Sequence, residues 1–253
     1  MIKKVIFVAH ENDGSRELFT RLYEDHKKDI DFHVIITTGL YYRKSLIASI
    51  WKMLTKASFW FCFHRFLDLL EYKSKFDTLE KRAKNWNVPV YFSGDINDDT
   101  TAAYIKSLQP DLMFSTYTMH ILKNHVINIP KQGTIGCHLG LLPNQRGLET
   151  FFWVIANEEK ETGVSVFYIT EKIDKGKLIM EEKFDIPADE TVTSIYKKET
   201  EMTGAMLSKT LSKLKNNESF ESIVIPEGRK EKYHGMPTRE AYRKYKKLGK
   251  KWK

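Results

Sequence analysis

The chain is short of the features that mark secreted, metal-built or membrane-spanning proteins. Cysteine occurs twice, as Cys62 and Cys137, with no ligand spacing between them, so neither a disulfide framework nor a zinc knuckle is expected. That usage fits a reducing cytoplasm, the expected location. The opening MIKKVIFVAH has a signal-like lysine pair, but its apolar run is short and no small-residue cleavage site follows. It reads as a first buried strand. No internal repeat and no low-complexity linker interrupts the 253 residues, a length that suits one large α/β domain or a main domain with a small appendage. The run ENDGSRELF after the first strand holds a single glycine, so it forms neither a dinucleotide-binding turn nor a phosphate loop. A G-x-S-x-G elbow and an H-E-x-x-H helix are absent as well.

What is present begins with charge. Forty-one Lys and Arg against 33 Asp and Glu give a net +8, which attracts nucleic acid, anionic lipid or phosphorylated substrates without choosing among them. Much of the excess lies in the tail GRKEKYHGMPTREAYRKYKKLGKKWK, 228–253, whose simplest reading is a solvated basic face. No nucleic-acid partner is expected from it.

Continuous apolar runs alternate with helical ones. Strands are expected at 4–10, 32–39, 88–94, 111–117, 133–140 and 162–170. Helices are expected from Ser15, a candidate N-cap, through SRELFTRLYEDHKK, then at TLEKRAKNWN and at 100–110. This rhythm predicts an α/β fold with a doubly wound, mostly parallel, Rossmann-like sheet. Ligands then bind outside the carboxyl ends of strands, and His138 falls at such an end. A further helix is expected over roughly 190–215. Residues 41–73 break the rhythm with an aromatic and basic insertion. Lys52, Lys56, His64 and Arg65 interrupt it, so it is no membrane span. An amphipathic helical pair there would either touch a membrane surface or cover an apolar face of the protein itself, and the second is the simpler expectation.

With the usual motifs missing, the chemistry rests on His138 in TIGCHLGLLPNQRG and Asp174 in EKIDKGKLI. A histidine exchanges protons near neutral pH, and an aspartate beside it orients the ring and sustains its charge. Asp174, two residues before Gly176, lies in a tight polar turn between two strand-like runs, at the rim of the sheet. The spacing alone leaves an equal alternative: a turn aspartate making an Asx bond and a histidine that only packs. No metal site is expected.

The stretches HLGLLPNQRG, ETFFWVIANEEKETGVSVFYI and EKIDKGKLIMEEKFDI resemble the core of the formyltransferases that use 10-formyltetrahydrofolate. His138, Leu141, Leu142, Pro143, Arg146, Gly147, Glu161, Thr162, Gly163, Val164, Asp174 and Gly176 fall on that family's pattern, and the likeness covers most of 85–250. The resemblance implies a formyltransferase catalytic domain over 1–187, with an insertion at 41–75. A C-terminal helix and basic extension follow over 188–253. It implies 10-formyltetrahydrofolate as co-substrate, with an acceptor amine attacking the formyl carbon. Protonated His138 would stabilise the developing oxyanion, and Asp174 would sustain that charge and assist proton movement. Tyr117, Met119, Ile121 and Leu122 would line the pterin, and the backbone at Ile173 and Asp174 would hydrogen-bond it. For each lining residue, ordinary core packing is nearly as good an account.

One departure stands out. The family's asparagine two residues before the histidine is here Gly136, which offers no side-chain donor. Losing one such donor costs about a hundredfold to a thousandfold in rate. The chain is then a slow enzyme with a substitute donor (Asn144, Gln145 or an ordered water), an enzyme with a changed reaction, or a homologue that keeps the pocket and binds folate or a partner without catalysis. Gly140 replaces a common Ser, and Glu149–Thr150 replaces a more usual apolar-Pro pair on the acceptor side.

Family members formylate initiator methionyl-tRNA, glycinamide ribonucleotide or nucleotide-linked amino sugars. The 188–253 stretch is too short for the C-terminal barrel of the tRNA enzymes, and the glycinamide enzymes lack the insertion. The resemblance therefore points to a nucleotide-linked amino sugar as acceptor, in polysaccharide biosynthesis, with another small amine, a homodimer and a membrane contact through 41–73 left open.

Overall fold

The structure is a computed structural model that describes residues 2–38, 57–74, 76–118, 120–221 and 223–253. Its sheet is built from β1 (Lys4–His10), β2 (Asp31–Thr37), β3 (Val90–Ser93), β4 (Leu112–Thr116), β5 (Thr134–Leu139), β7 (Glu161–Tyr168) and β8 (Leu178–Asp185). The strand order is β3-β2-β1-β4-β5-β7-β8. The first five run parallel, whereas β7 pairs antiparallel with β5 and with β8.

Alternate residues of each central strand enter opposite layers. Val5 and Phe7 of β1 join the larger cluster, and Ile6 and Val8 the smaller. Burial on both faces is why the sequence shows continuous apolar runs. The larger layer holds α1 (Asp13–His26) and α7 (Val192–Lys215), and the smaller is covered by α4 (Asp99–Leu108) and α5 (Asn124–Ile127). α1 begins three residues earlier than a Ser15 N-cap predicts. The Asn12 side chain caps it by accepting from the Ser15 N–H at 2.9 Å, so Ser15 is helical and buried.

Three further helices are α2 (Phe59–Ser74), α3 (Leu79–Asn85) and α6 (Thr150–Ala156). A short parallel pair, β6 (Arg146–Gly147) with β9 (Tyr233–His234), precedes α8 (Arg239–Lys247). The antiparallel turn at β5–β7 matters most for the site. Tyr168 at the end of β7 stands opposite Ile135 near the start of β5. The loop 169–177 therefore leaves from the rim opposite the one where His138 sits, and must fold back across the sheet to reach it.

α7, expected within a C-terminal extension, packs on α1. The His26 Nε2–H donates to the Ser208 carbonyl at 3.1 Å, and Ser208 Oγ donates to Asp25 at 2.6 Å. The tail returns to the body through Trp252, which is buried, edge-on to Phe61 at 5.6 Å and stacked on His64 at 4.6 Å. Phe61 belongs to α2, so the latter part of the expected insertion does cover the protein's own apolar surface. It does so with one face only. Phe61 and Tyr72 are buried, while Phe59, Trp60, Phe63, Phe66, Leu67 and Leu70 are each at least 40% exposed. Residues 41–56 of the expected helical pair lie outside the described residues. No described helix is long and apolar enough to cross a membrane.

Candidate active site

On β5, Ile135 and Leu139 enter the larger cluster. The two-residue period turns Gly136 and His138 to the opposite face. His138 is buried at 9% exposure, and its two ring nitrogens have different partners. Nε2–H donates to the Gln145 carbonyl at 2.6 Å, and Nδ1 lies 3.9 Å from Asp174 Oδ2. A carbonyl only accepts, so the Nε2 proton is fixed and Nδ1 is the position that gains or loses one. At 3.9 Å, Nδ1 and the carboxylate do not bond directly. Both reach one polar atom placed to the side, at about 2.8 Å from each.

The turn after β5 holds this arrangement. Its Leu142–Pro143 peptide is cis, and Gly140 at φ 132° reverses the chain in a region that side chains avoid. Ser165 Oγ ties the turn to β7 by donating to the Gly140 carbonyl at 2.9 Å and accepting from Leu142 N–H at 3.0 Å. Gln145 is buried at 2%. Its Oε1 accepts from Leu141 N–H at 2.8 Å and from Thr162 Oγ at 3.0 Å, and its Nε2 donates to the Glu161 carbonyl at 3.0 Å. The Gln145 amide is thus engaged in holding the turn, with one N–H of its Nε2 committed to the Glu161 carbonyl. Asn144 keeps a buried Oδ1 with no hydrogen-bond partner among the described residues.

Arg146 joins the turn to the Asp174 loop. Its guanidinium is buried, donates through Nη2 to the Ile173 carbonyl and through Nη1 to Glu231, and lies 5.9 Å from the Tyr233 ring. Lys175 reaches the same Glu231 carboxylate at 3.0 Å, and the two cations hold that carboxyl below its usual range. Asp174 itself takes φ 49°, in the left-handed region that aspartate enters more readily than most side chains.

Sequence reasoning missed Glu199. It sits on α7 at 0% exposure, has its Oε1 2.7 Å from Thr162 Oγ, whose single proton it shares with Gln145 Oε1, and leaves Oε2 without a partner. Burial pushes its carboxyl up to about 8, against the Thr162 hydrogen bond. Glu199, Thr162, Gln145 and His138 form one connected chain. In the sequence, Glu199 is one charge among many in KKETEM, and nothing local marks it.

The expected pterin wall is dispersed. Tyr117 turns its hydroxyl to Thr200 on α7 at 3.0 Å, and Leu122 is buried in the smaller cluster. Ile121 and Ile173 are 59% and 41% exposed, and Met119 lies outside the described residues. On the far side of the Arg146 turn, Glu149 at φ 55° meets Arg65 of α2 at 3.4 Å. Burial pushes the Glu149 carboxyl up, and Arg65 opposes it. Arg65 also lies over the rings of Phe151 and Tyr196 at 5.4 and 5.7 Å. It borders a cavity of about 350 Å³ with Asn12, Tyr196, Lys197, Trp252 and Lys253, where α2 and the tail meet. Among the described residues no group of three or more His, Cys, Asp or Glu could hold a metal ion.

Comparison with known proteins gives the same picture at larger scale. A family model described as formyl transferase matches residues 73–211. The bifunctional polymyxin resistance protein ArnA of Wigglesworthia glossinidia brevipalpis is 34% identical over 142 residues, 56% of this chain and 22% of that protein. The chain spans less than half the length of the curated relatives it matches. An N-formyltransferase from Helicobacter canadensis, solved with folinic acid and dTDP-3-aminofucose, superposes with a TM-score of 0.58 at 18% identity, covering 95% of this chain and 72% of that one. Phosphoribosylglycinamide formyltransferase from Anaplasma phagocytophilum superposes with a TM-score of 0.63 at 14% identity, covering 93% and 98%. At such identities the two structures establish the fold.

Proposed function

The chain belongs to the formyl transferase family, and from that premise we propose that it passes a formyl group from 10-formyltetrahydrofolate to the amine of a nucleotide-linked sugar. The co-substrate supplies an activated formyl carbon. The bond from that carbon to its nitrogen breaks, a bond to the acceptor nitrogen forms, and the proton lost by the amine ends on the departing nitrogen. The observation that carries this reading is the His138–Asp174 pair, 3.9 Å apart and fastened together through Arg146.

The residues present fit these tasks. With Nε2–H committed to Gln145, a charged imidazole directs its second N–H into the space shared with Asp174, where it can donate to a developing oxyanion. Asp174 holds that charge in place and accepts the amine proton. Ile121 and Ile173 offer exposed apolar edges for an aromatic ring, and Asn144 offers an unfilled acceptor. Leu122 belongs to the smaller cluster and Tyr117 packs against the larger one, so the two do not back a single wall.

The acceptor is read at the cavity bordered by Arg65, Lys197, Lys253 and Trp252, three residues of chain beyond Arg146 by way of Glu149. The Trp252 and Tyr196 rings suit a base, while Asp13, Asp68 and Glu71 line the same cavity and Arg65 and Lys253 are paired with carboxylates, so a diphosphate would have to draw these cations from their partners. The Helicobacter canadensis protein, with its bound nucleotide sugar, supports this class. The equal likeness to a glycinamide enzyme makes glycinamide ribonucleotide the comparison substrate. A formyl-transfer assay with 10-formyltetrahydrofolate and a panel of 3-amino and 4-amino nucleotide sugars decides. Transfer is expected, with His138→Ala abolishing it. Equal inertness of both proteins, with folinic acid still bound, replaces the enzyme with a folate-binding homologue.

A second observation favours work at a membrane surface. Phe59, Phe63, Phe66 and Leu70 recur at helical spacing on the side of α2 away from the body, and α8 beside it exposes Arg243, Lys244, Lys246 and Lys247. An apolar stripe flanked by cations suits an anionic bilayer.

A further inference from the structure

Gly136 and His138 are one strand period apart on the same face, so a side chain at 136 would stand beside the imidazole. That space is already filled. A β-carbon built on Gly136 would lie 2.9 Å from Cγ1 and 3.0 Å from Cδ1 of Ile169, and 3.3 Å from Cζ of Phe167. Carbon atoms in favourable contact sit about 3.5–4.0 Å apart. Both intruders come from β7 and its exit. Phe167 is the register partner of Gly136, and the strand pairing shifts between Val166 and Phe167.

Ile169 is held by its backbone and is half-buried at its side chain. Its N–H donates to the Thr134 carbonyl at 2.8 Å, and its side chain leans on the smaller cluster of Ile6, Val8 and Leu122. The glycine and the isoleucine are two halves of one packing solution: a side chain at 136 has to displace the Ile169 side chain.

We infer that Ile169 is a positioning residue of the site, filling the space beside His138 that a side chain at position 136 would take, so that this wall meets the reacting carbonyl as alkyl surface and not as an amide. The inference rests on the formyl-transfer reading for its chemistry, but its packing half stands apart from it. Three consequences follow from the geometry. The oxyanion is served from the His138 side. The rate follows the charge on His138 more steeply than where a neutral amide shares the work. An asparagine returned to position 136 gains nothing while Ile169 stays, because its Cβ must push into packed alkyl groups.

The test uses the full chain in four forms: wild type, Gly136→Asn, Ile169→Ala and the double variant. Ile169→Val, which removes only Cδ1, guards against a folding failure of the alanine form. Thermal midpoint, folinic-acid affinity by calorimetry, and kcat and KM for transfer to a nucleotide-linked amino sugar are measured on each. Gly136→Asn is expected to lower the midpoint in the wild-type background and to lower it much less beside Ile169→Ala. The double variant is expected to exceed Ile169→Ala in kcat by tenfold or more, with folinic-acid affinity moving less than threefold and a flatter dependence on pH. Additive midpoint losses overturn the packing claim whether or not any form turns over. A single Gly136→Asn as fast as the double variant overturns the positioning claim, as does a double variant no faster than Ile169→Ala. Four inert proteins that all bind folinic acid overturn the formyl-transfer reading and the positioning role with it, while the midpoint cycle still decides the packing.

Discussion

His138 donates its Nε2 proton to the Gln145 carbonyl at 2.6 Å, so the turn that follows the histidine decides which ring nitrogen is left open. The remaining nitrogen faces Asp174, and protonating it turns a lone pair set against a carboxylate into a donor aimed at one. Because the fixing group is backbone, removal of the Gln145 side chain loosens the turn without removing the bond itself.

Arg146 spans Glu231 and the Ile173 carbonyl with two arms of one planar fork, which a lysine cannot reproduce. Arg146→Lys is expected to lower kcat by about tenfold to a hundredfold, the scale of a 1 Å misplacement. Folinic-acid affinity, measured by calorimetry, should change far less. An unchanged kcat would remove Arg146 from the positioning of Asp174.

Glu199 gives the fold an alkaline weakness. Its carboxyl is raised to about 8 from a value of 4.5, so between those limits the folded chain keeps a proton that the unfolded chain has released. Stability contributed by this group is full below about 4.5, falls as pH rises, and levels off above about 8. Urea midpoints at pH 5.5 and 8.5 should show the fall in wild type, and Glu199→Gln should abolish most of it.

His234 gives the opposite limb. Burial against Trp153, whose ring is 4.8 Å away, and the nearby Lys232 lower its value from 6.5 to about 4. Between those limits the unfolded chain binds a proton that the folded chain refuses, so stability is complete above about 6.5 and is lost as pH falls towards 4. Tryptophan fluorescence during acid titration should report release of the β9 strap first, and His234→Gln should delay it to lower pH.

The outward stripe of α2 predicts sedimentation with phosphatidylglycerol vesicles at low salt, weakening at high salt as screening grows. Phe63→Glu with Phe66→Glu should abolish it. Vesicle-independent self-association of the wild type, lost in the same variant, would instead assign the stripe to a second copy of the chain.

The strand rhythm was legible because both faces of the sheet are buried, which writes long apolar runs into the sequence. His138, Asp174 and the Arg146 turn stood out as candidates through resemblance. Their meeting was not legible, since the loop 169–177 starts at the opposite rim and meets Arg146 only after folding back, through the Ile173 carbonyl. Glu199 and Ile169 were invisible for the same reason: each matters through a partner far along the chain, Thr162 for one and Gly136 for the other. The two faces of α2 could not be told apart either, because aromatic residues line both.

The seam between α1 and α7 also carries a cost in time. His26 and Ser208 are 182 residues apart, and at about 5–20 residues per second of synthesis the first helix waits on the order of ten to forty seconds for its cover. During that interval the face of α1 that α7 covers, from Leu18 and Arg21 to His26, is without its partner. A holdase would find its client there, and slowing the ribosome between the two helices should lower the yield of native protein more than slowing it after them.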